Sequence, residues 1–339
     1  MQDDKTPAIA TTNIHMENFS FNLDQLISPN VKNFDKLAIE VMKYQLKNNT
    51  VYAEYYDLVN NRLEIPYCFL PINFFKTHRI YSRYGIEEIT FSSSATTGQG
   101  KSLHHVANVS LYQKSFINAF ESQYGKADEY VILALLPSYL EREGSSLVYM
   151  IDWLIRESKH PLSGFYLNDF NKLAAQLKMA KVTQKKVILI GVSFALLDFA
   201  VAFPISFPEL IIMETGGMKG RKKEITRREL HATLKKAFGV ANIQSEYGMT
   251  EMLSQAYAIK DGLYRPAASL KVMITDTHDP FRVLPNGKTG IINVIDLANI
   301  YSCSFIQTSD IGITHSNGHF EILGRMDNSE LRGCSLMHL

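Results

Sequence analysis

The sequence predicts an α/β protein built on a mostly parallel sheet, because short apolar runs alternate with amphipathic helical segments through most of the chain. Apolar runs of this length suit strands that are buried on both faces. We expect such strands at Ile89–Phe91, Tyr130–Leu136, Val187–Ile190 and Leu210–Met213, and a further short strand at Ala241–Gln244.

Apolar residues at helical spacing predict the segments between these strands. The expected helices are Val106–Phe120, Ser146–Arg156, Phe170–Met179 and Thr226–Phe238. The last one has a capping box, in which Thr226 and Glu229 satisfy each other's backbone N–H groups. Gly239 follows it as a stop signal.

Two flanking regions differ from this alternation. The first eighty or so residues are expected to be helical, because Phe34, Leu37, Ala38, Val41 and Met42 form one apolar stripe. After about residue 270 helices become scarce, and the sequence predicts a smaller β-rich region. Its expected strands are Lys271–Thr275, Gly290–Asp296 and His319–Leu323.

Composition indicates a folded protein with no global attraction to nucleic acid. The 339 residues are 46% hydrophobic and 20% charged, and the formal net charge is only +1. The three cysteines lack paired spacing, which favours a reduced, cytoplasmic setting. The N-terminus shows no signal peptide. The apolar stretch Val187–Phe207 carries Asp198 and Pro204, so we interpret it as a buried strand, a turn and a helix and expect no membrane insertion.

A loop rich in hydroxyl groups and glycine follows the first predicted strand. It reads Ser-Ser-Ala-Thr-Thr-Gly-Gln-Gly-Lys from Ser93 to Lys101, and we expect it to lead into a helix. Such a loop can offer backbone N–H groups, hydroxyls and a cation to phosphate oxygens. Ala95 to Ser102 nearly matches a Walker A loop, with Asp296 as the Walker B candidate. The loop also resembles the phosphate loop of the adenylate-forming superfamily, the acyl-CoA synthetases and their relatives.

Three downstream motifs favour the second alternative. Tyr247-Gly-Met-Thr-Glu251 resembles the superfamily's Tyr-Gly-x-Thr-Glu motif, Thr308-Ser-Asp310 resembles its aspartate motif, and Leu323-Gly-Arg-Met-Asp327 resembles its Gly-Arg-x-Asp hinge. Short motifs of this kind match by chance when taken alone. Their occurrence in the superfamily's order, over about residues 85–333, makes the resemblance specific.

The resemblance implies ATP and Mg²⁺ as cofactors and assigns the site residues. Tyr247 would pack on the adenine, Thr250 would meet the α-phosphate, and Glu251 would hold Mg²⁺, for which carboxylates are suitable ligands. Asp310 and Arg325 would lie at the ribose, and Lys101 at the phosphates. Gly216 and Gly217 would form a glycine-rich turn against the adenine. The remaining nucleotide contacts would come from Ser93, Ser94, Thr96, Thr97, Gly98, Gly248 and Met249. Ala95 replaces a glycine of the superfamily loop and is expected to restrict its backbone.

Other residues have both a structural and a functional interpretation. Tyr139 is a candidate for the acyl pocket or an ordinary core residue. His104 and His105, expected to open a helix beside the loop, are structural or act in acid–base chemistry. The basic run between Lys219 and Arg228 is a solvated face or a docking patch for an acidic partner.

Within the superfamily the chain most resembles the LuxE-type acyl-protein synthetases of the bacterial fatty acid reductase system. The sequence continues for twelve residues after Asp327, so we expect the superfamily's C-terminal domain, with its adenylation lysine, to be absent. In the LuxE group a cysteine near the C-terminus receives the acyl group from the adenylate. Cys334 is in the corresponding place, beside Arg332. Cys334, Glu251, Thr250 and Lys101 are therefore the expected catalytic residues.

The resemblance also implies the organisation of the chain and its reaction. We expect a helical segment at 1–85 packed on the core, an adenylation core at 86–323, and a short tail with a truncated hinge at 324–339. The expected fold is the large N-terminal domain of an adenylate-forming enzyme. The expected activity is ATP-dependent activation of a carboxylic, fatty acid as acyl-AMP, with transfer to Cys334 and then to an acyl-protein reductase. Direct transfer to coenzyme A or an acyl carrier protein, and a degenerate adenylate-binding protein without activity, remain as alternatives.

Overall fold

A computed structural model of the chain describes residues 14–16, 19–29, 31–82, 86–93, 100–136, 144–216 and 226–326. The α-helices are α1 Leu23–Ile27, α2 Phe34–Asn48, α3 Thr50–Val59, α4 Phe74–Thr77, α5 Val109–Tyr124, α6 Ser146–Ser158, α7 Phe170–Lys181, α8 Ser193–Ala202 and α9 Arg227–Phe238. Short 3₁₀ turns occur at Val31–Asn33, Asn60–Arg62, Ala127–Glu129 and Leu297–Asn299.

The strands alternate with these helices and then follow one another without them. They are β1 Ile14–Met16, β2 Phe19–Phe21, β3 Leu70–Pro71, β4 Ile89–Ser92, β5 Leu103–Val106, β6 Tyr130–Leu135, β7 Gly164–Phe165, β8 Lys186–Val192, β9 Ile211–Thr215, β10 Gln244–Tyr247, β11 Ala256–Ala258, β12 Leu263–Pro266, β13 Leu270–Thr275, β14 Gly290–Asp296, β15 Phe305–Thr314 and β16 Phe320–Arg325.

One long sheet connects most of these strands, in the order β13-β14-β15-β16-β12-β11-β10-β9-β8-β6-β7. The strands from β10 to β7 are parallel, as the sequence predicts. From β10 onward the pairing is antiparallel. The predicted β-rich region is therefore continuous with the parallel sheet, and β10 lies where the two kinds of pairing meet.

The core explains why these elements form. All six residues of β6 are buried, as are six of the seven in β8, which confirms strands covered on both faces. Helix α9 has the predicted capping box of Thr226 and Glu229, and Gly239 ends it in the left-handed conformation. The stretch Val187–Phe207 folds as β8 and α8, as interpreted. Among the described residues, no helix is long and apolar enough to cross a membrane.

Two predicted boundaries are wrong. The helix expected from Val106 begins at Val109, because the Asn108 side chain accepts the Leu111 N–H and caps it there. The preceding residues form β5, which pairs antiparallel with β4, so the hydroxyl-rich loop connects two strands. The short strand expected at Ala241–Gln244 lies three residues later, as β10, and ends at Tyr247, the first residue of the tyrosine motif.

The N-terminal helices pack on the antiparallel half of the sheet. The buried Gln45 side chain of α2 donates to the Ile300 carbonyl at 2.9 Å and accepts from the Ser304 N–H at 3.1 Å. The Tyr52 ring of α3 stacks on Phe305 of β15, with centroids 6.0 Å apart. The β1–β2 pair and β3 were not predicted.

Candidate functional site

Tyr247 and Asp310 come together at the end of β10. The Tyr247 hydroxyl donates to Asp310 Oδ2 at 2.8 Å, although the residues are 63 positions apart. Its ring is buried against Tyr264 and Phe320. Burial and the negative charge of Asp310 raise the pKa of Tyr247 well above its usual value, so the phenol stays protonated and remains a donor.

Asp310 also lies directly opposite Arg325, because β15 and β16 pair these two residues across the antiparallel ladder. Two residues that stand directly opposite each other on paired strands project from the same face of the sheet. The Met326 N–H donates to the Ser309 carbonyl at 2.8 Å, which fixes the chain as it leaves β16. Two residues predicted for ribose binding thus share one face, next to Tyr247.

Glu251 is the buried carboxyl group of the site, with 6% of its surface exposed. Burial raises its pKa, while a hydrogen bond with Ser102 and the positive charges of Arg325 and Lys76 act in the opposite direction. These contacts bring the exit of the hydroxyl-rich loop, the Thr-Glu motif and the Gly-Arg segment to one place. The sequence analysis missed Lys76 and considered Ser102 only as the end of the Walker A match. Ser102 could have been found from its place at the loop exit, whereas Lys76, in helix α4, has no motif around it.

The hydroxyl-rich loop is closed at its base by Ser93 and Ser102. The Ser93 N–H donates to the Ser102 carbonyl at 3.0 Å, and the Ser102 N–H donates to Ser93 Oγ at 2.9 Å. Lys101 is exposed beside this closure. Four of the predicted phosphate-binding residues, Ser94, Thr96, Thr97 and Gly98, lie outside the described residues, as does Ala95.

The strand after the loop removes the Walker A alternative, since that motif requires a helix there. His104 and His105 therefore belong to β5 and do not open a helix. Asp296, the Walker B candidate, is fully buried and accepts the Leu253 and Ser254 N–H groups at 2.7 and 3.0 Å. It supports the backbone after Glu251.

Gly216 follows β9 with φ of +70°, a conformation that favours glycine. Its carbonyl accepts the Ser193 hydroxyl at 2.9 Å. Just before Gly216, the buried Glu214 carboxylate accepts hydrogen bonds from the side chains of Ser193, Ser245 and His231, each at 3.0 Å. Gly217 lies outside the described residues. The turn predicted against the adenine is therefore fixed by a buried carboxylate with three donors.

Residues of the predicted acyl pocket and docking patch are only partly described. Tyr139 and most of the basic run lie outside the described residues. Arg227 is described, and its guanidinium points to Glu214 at 3.5 Å and lies over the Tyr264 ring. Arg227 thus packs partly inside the molecule, Arg228 is exposed, and the docking patch stays a prediction.

The described cysteines are poor nucleophiles. Cys68 and Cys303 are both fully buried. Burial raises the pKa of the Cys68 thiol to about 12 and that of Cys303 further, so neither forms a thiolate near neutral pH. Cys334 and Asp327 lie outside the described residues.

Glu251 fits a Mg²⁺ ion that is held mainly by phosphate oxygens. Within the described ranges no group of three or more His, Cys, Asp or Glu side chains could form a metal cage. Mg²⁺ commonly binds through one or two carboxylates plus substrate phosphates, and a single buried carboxyl group beside the hydroxyl-rich loop is suited to that kind of binding.

Comparison with known proteins agrees with this geometry. A family model described as "Acyl-protein synthetase, LuxE" matches residues 147–338, more than half of the chain. No curated protein sequence matches it. The fold is similar to that of 2-hydroxyisobutyryl-CoA ligase in complex with 2-HIB-AMP and CoA, with a TM-score of 0.64 and 11% identity over 95% of this chain and 76% of that one.

Two further structures share the fold. ATP-bound MatB from Rhodopseudomonas palustris has a TM-score of 0.53 and 16% identity, over 72% of this chain and 49% of that one. O-succinylbenzoate coenzyme A synthetase from Bacillus subtilis, in complex with ATP and magnesium, has a TM-score of 0.51 and 16% identity, over 70% and 49%. The chain thus spans about half the length of these two enzymes. The likenesses confirm the predicted fold class.

Proposed function

This chain belongs to the LuxE family of acyl-protein synthetases, and we propose that it activates a carboxylic acid with ATP and passes the acyl group to a thiol. The proposal rests mainly on one observation. The hydrogen-bonded pair Tyr247–Asp310 lies in the same region as Glu251, Ser102 and Arg325. A nucleotide-binding pair and a buried carboxyl group flanked by cations are what adenylation needs in one place.

In the first half-reaction a carboxylate oxygen of the acid attacks the α-phosphorus of ATP, and pyrophosphate leaves. Asp310 and Arg325 hold the ribose, while Tyr247, Gly248 and Met249, with Gly216 and Gly217, enclose the adenine. Thr250 contacts the α-phosphate, and Ser93 and Lys101 contact the phosphate chain. Glu251 would hold Mg²⁺, which would offset the negative charge of the phosphates.

In the second half-reaction a thiolate attacks the acyl carbonyl and AMP leaves. We propose Cys334 as that thiol. The support is partly by exclusion, because the two other cysteines are buried and protonated. It is also positional, since the Met326–Ser309 bond fixes the start of the tail beside the ribose residues. The tail thus begins where the adenylate would form.

Two measurements after incubation with ATP, Mg²⁺ and a panel of fatty and aromatic acids test the two steps. Pyrophosphate release tests the first half-reaction, and intact-mass analysis of the protein tests the second. We expect acid-dependent pyrophosphate release and one hydroxylamine-labile acyl group on the C-terminal peptide. Cys334→Ser should release pyrophosphate but lose the label, whereas Cys68→Ala and Cys303→Ala should label normally.

The outcomes separate the alternatives. Labelling that persists in Cys334→Ser contradicts the role of Cys334. Acyl transfer only to added coenzyme A or carrier protein would favour the direct ligase. An absence of pyrophosphate release with every acid, despite ATP binding, would favour an adenylate-binding protein without activity.

A further inference from the structure

The backbone that carries Thr250 and Glu251 is held by three buried side chains from distant parts of the chain. His104 of β5 contacts the Thr250 carbonyl through Nδ1 at 2.7 Å. Asn299 donates from Nδ2 to the Glu251 carbonyl at 2.8 Å. Asp296 accepts the next two N–H groups, those of Leu253 and Ser254. We call His104, Asn299 and Asp296 the cradle.

Hydrogen bonds fix the orientation of Asn299. Its Nδ2 donates to two carbonyl oxygens, those of Glu251 and Cys303, each at 2.8 Å. A flipped amide would place its oxygen against both carbonyls, where no proton is available. Oδ1 of Asn299 therefore faces Nε2 of His104, 2.9 Å away.

Both ring nitrogens of His104 thus face oxygens that can only accept. A neutral imidazole has one N–H, so it can satisfy only one of them. The ring is fully buried and packs edge-on against Phe75, with centroids 5.8 Å apart. Burial lowers the pKa of His104 to about 4, so the ring is neutral near pH 7 and the two oxygens compete for one proton. The contact with the Thr250 carbonyl is the shorter one.

We propose that His104 is a positioning residue for adenylation, holding the Thr250 carbonyl through Nδ1–H so that the Thr250–Glu251 segment faces the phosphates. This inference rests on the proposed function. His104 stands two residues beyond Ser102, which itself hydrogen-bonds the Glu251 side chain. The exit of the hydroxyl-rich loop and the Thr-Glu motif are therefore joined by two side chains, those of Ser102, just before β5, and His104, within it. A displacement of about 1 Å in a catalytic segment can cost on the order of 100-fold in rate.

Two substitutions at this one position separate the two ring contacts. In His104→Asn the amide nitrogen stands at the place of Nδ1 and can still donate to the Thr250 carbonyl. In His104→Gln it stands near the place of Nε2 and reaches Asn299 instead. The two variants are of similar size and polarity, so each is the matched control for the other.

The experiment measures acid-dependent ATP–pyrophosphate exchange, ATP binding in EDTA, and thermal unfolding for the wild type and both variants. We expect His104→Asn to keep at least about one third of the wild-type kcat and His104→Gln to lose tenfold or more, a loss consistent with misplaced catalytic groups. Affinity for ATP without metal should stay within about twofold in both variants, because the Tyr247–Asp310 pair is untouched. The melting temperatures of the two variants should agree.

The results separate failure of the inference from failure of the function. Equal exchange by the two variants, or greater exchange by His104→Gln, beside an active wild type overturns the role of His104 alone. Activity that follows the melting temperature would mean that His104 is only structural and would also overturn it. A wild type that shows no exchange with any acid overturns the proposed function and this inference with it.

Discussion

Two buried glutamates on neighbouring strands are expected to respond to pH in opposite directions. Glu246 on β10 has 6% of its surface exposed and accepts a hydrogen bond from the Thr215 hydroxyl at 2.6 Å. Burial raises its pKa from 4.5 to about 7. Glu214 on β9 is equally buried, but the donors His231 and Ser193 and the charge of Arg227 outweigh burial and lower its pKa.

The sign of the effect follows from the bound protons. Between pH 4.5 and about 7 the folded protein keeps the Glu246 proton that the unfolded chain has lost, so the free energy of unfolding falls as the pH rises. Each unit by which a pKa differs between the folded and unfolded states corresponds to about 1.36 kcal/mol. The rise in the Glu246 pKa from 4.5 to about 7 therefore means that ionising Glu246 inside the protein costs about 3 kcal/mol. About 2 kcal/mol of this cost appears between pH 5.5 and 8.

Glu246→Gln removes the ionisation but keeps an oxygen that can accept the Thr215 hydroxyl. We therefore expect the free energy of unfolding of this variant, relative to that of the wild type, to increase by about 2 kcal/mol when the pH is raised from 5.5 to 8. Glu214→Gln is the matched control. Because the folded pKa of Glu214 is depressed, its contribution is present above pH 4.5 and is lost as the pH falls through the folded pKa. This variant should lose about 2 kcal/mol or more at pH 8, the scale of hydrogen bonds to a charged group.

Urea unfolding of the wild type and both variants at pH 5.5 and 8 measures these differences. A stability difference between Glu246→Gln and the wild type that is the same at both pH values would refute the reasoning. So would a variant of Glu246 that is less stable than the wild type at pH 8 with an unchanged denaturant slope.

Three further predictions concern the site. Glu251→Gln should keep the fold but lose about 100-fold or more of pyrophosphate exchange, since a neutral amide is a poor Mg²⁺ ligand; exchange at the wild-type rate would exclude Glu251 as the metal ligand. Asp310→Ala should weaken ATP binding by about 1.5–3 kcal/mol per lost bond, measured by calorimetry, and unchanged affinity in a folded variant would remove Asp310 from the site. Tyr247→Phe should weaken ATP binding less than Asp310→Ala, because it frees the carboxylate without removing it; an equal loss would show that the hydroxyl itself contacts the nucleotide.

The sequence was sufficient where a local signal decided the structure. The capping box of Thr226 and Glu229 located the start of α9 to within one residue, and the buried runs of β6 and β8 located the parallel sheet. The sequence analysis placed the start of α5 at Val106 instead of Val109, because Val106 fits the apolar period of that helix. The capping residue Asn108 was the signal that could have corrected this.

The site was predicted residue by residue but not as a geometry. Motif spacing indicated Tyr247, Glu251 and Asp310, and the structure brings these residues to one region. The cradle of His104, Asp296 and Asn299 could not be predicted, because its bonds join residues up to 195 positions apart. Polar residues in apolar runs were the only hint, and that pattern does not reveal a partner.

The bond between Met326 and Ser309 has a consequence for competition between acyl acceptors. Cys334 follows Met326 by eight residues, and eight residues span at most about 29 Å in any conformation. One thiol confined to a sphere of that radius has an effective concentration on the order of 10 mM. A dissolved thiol of similar reactivity would have to approach that concentration to intercept the adenylate. Self-acylation should also proceed at a rate that dilution of the protein does not change.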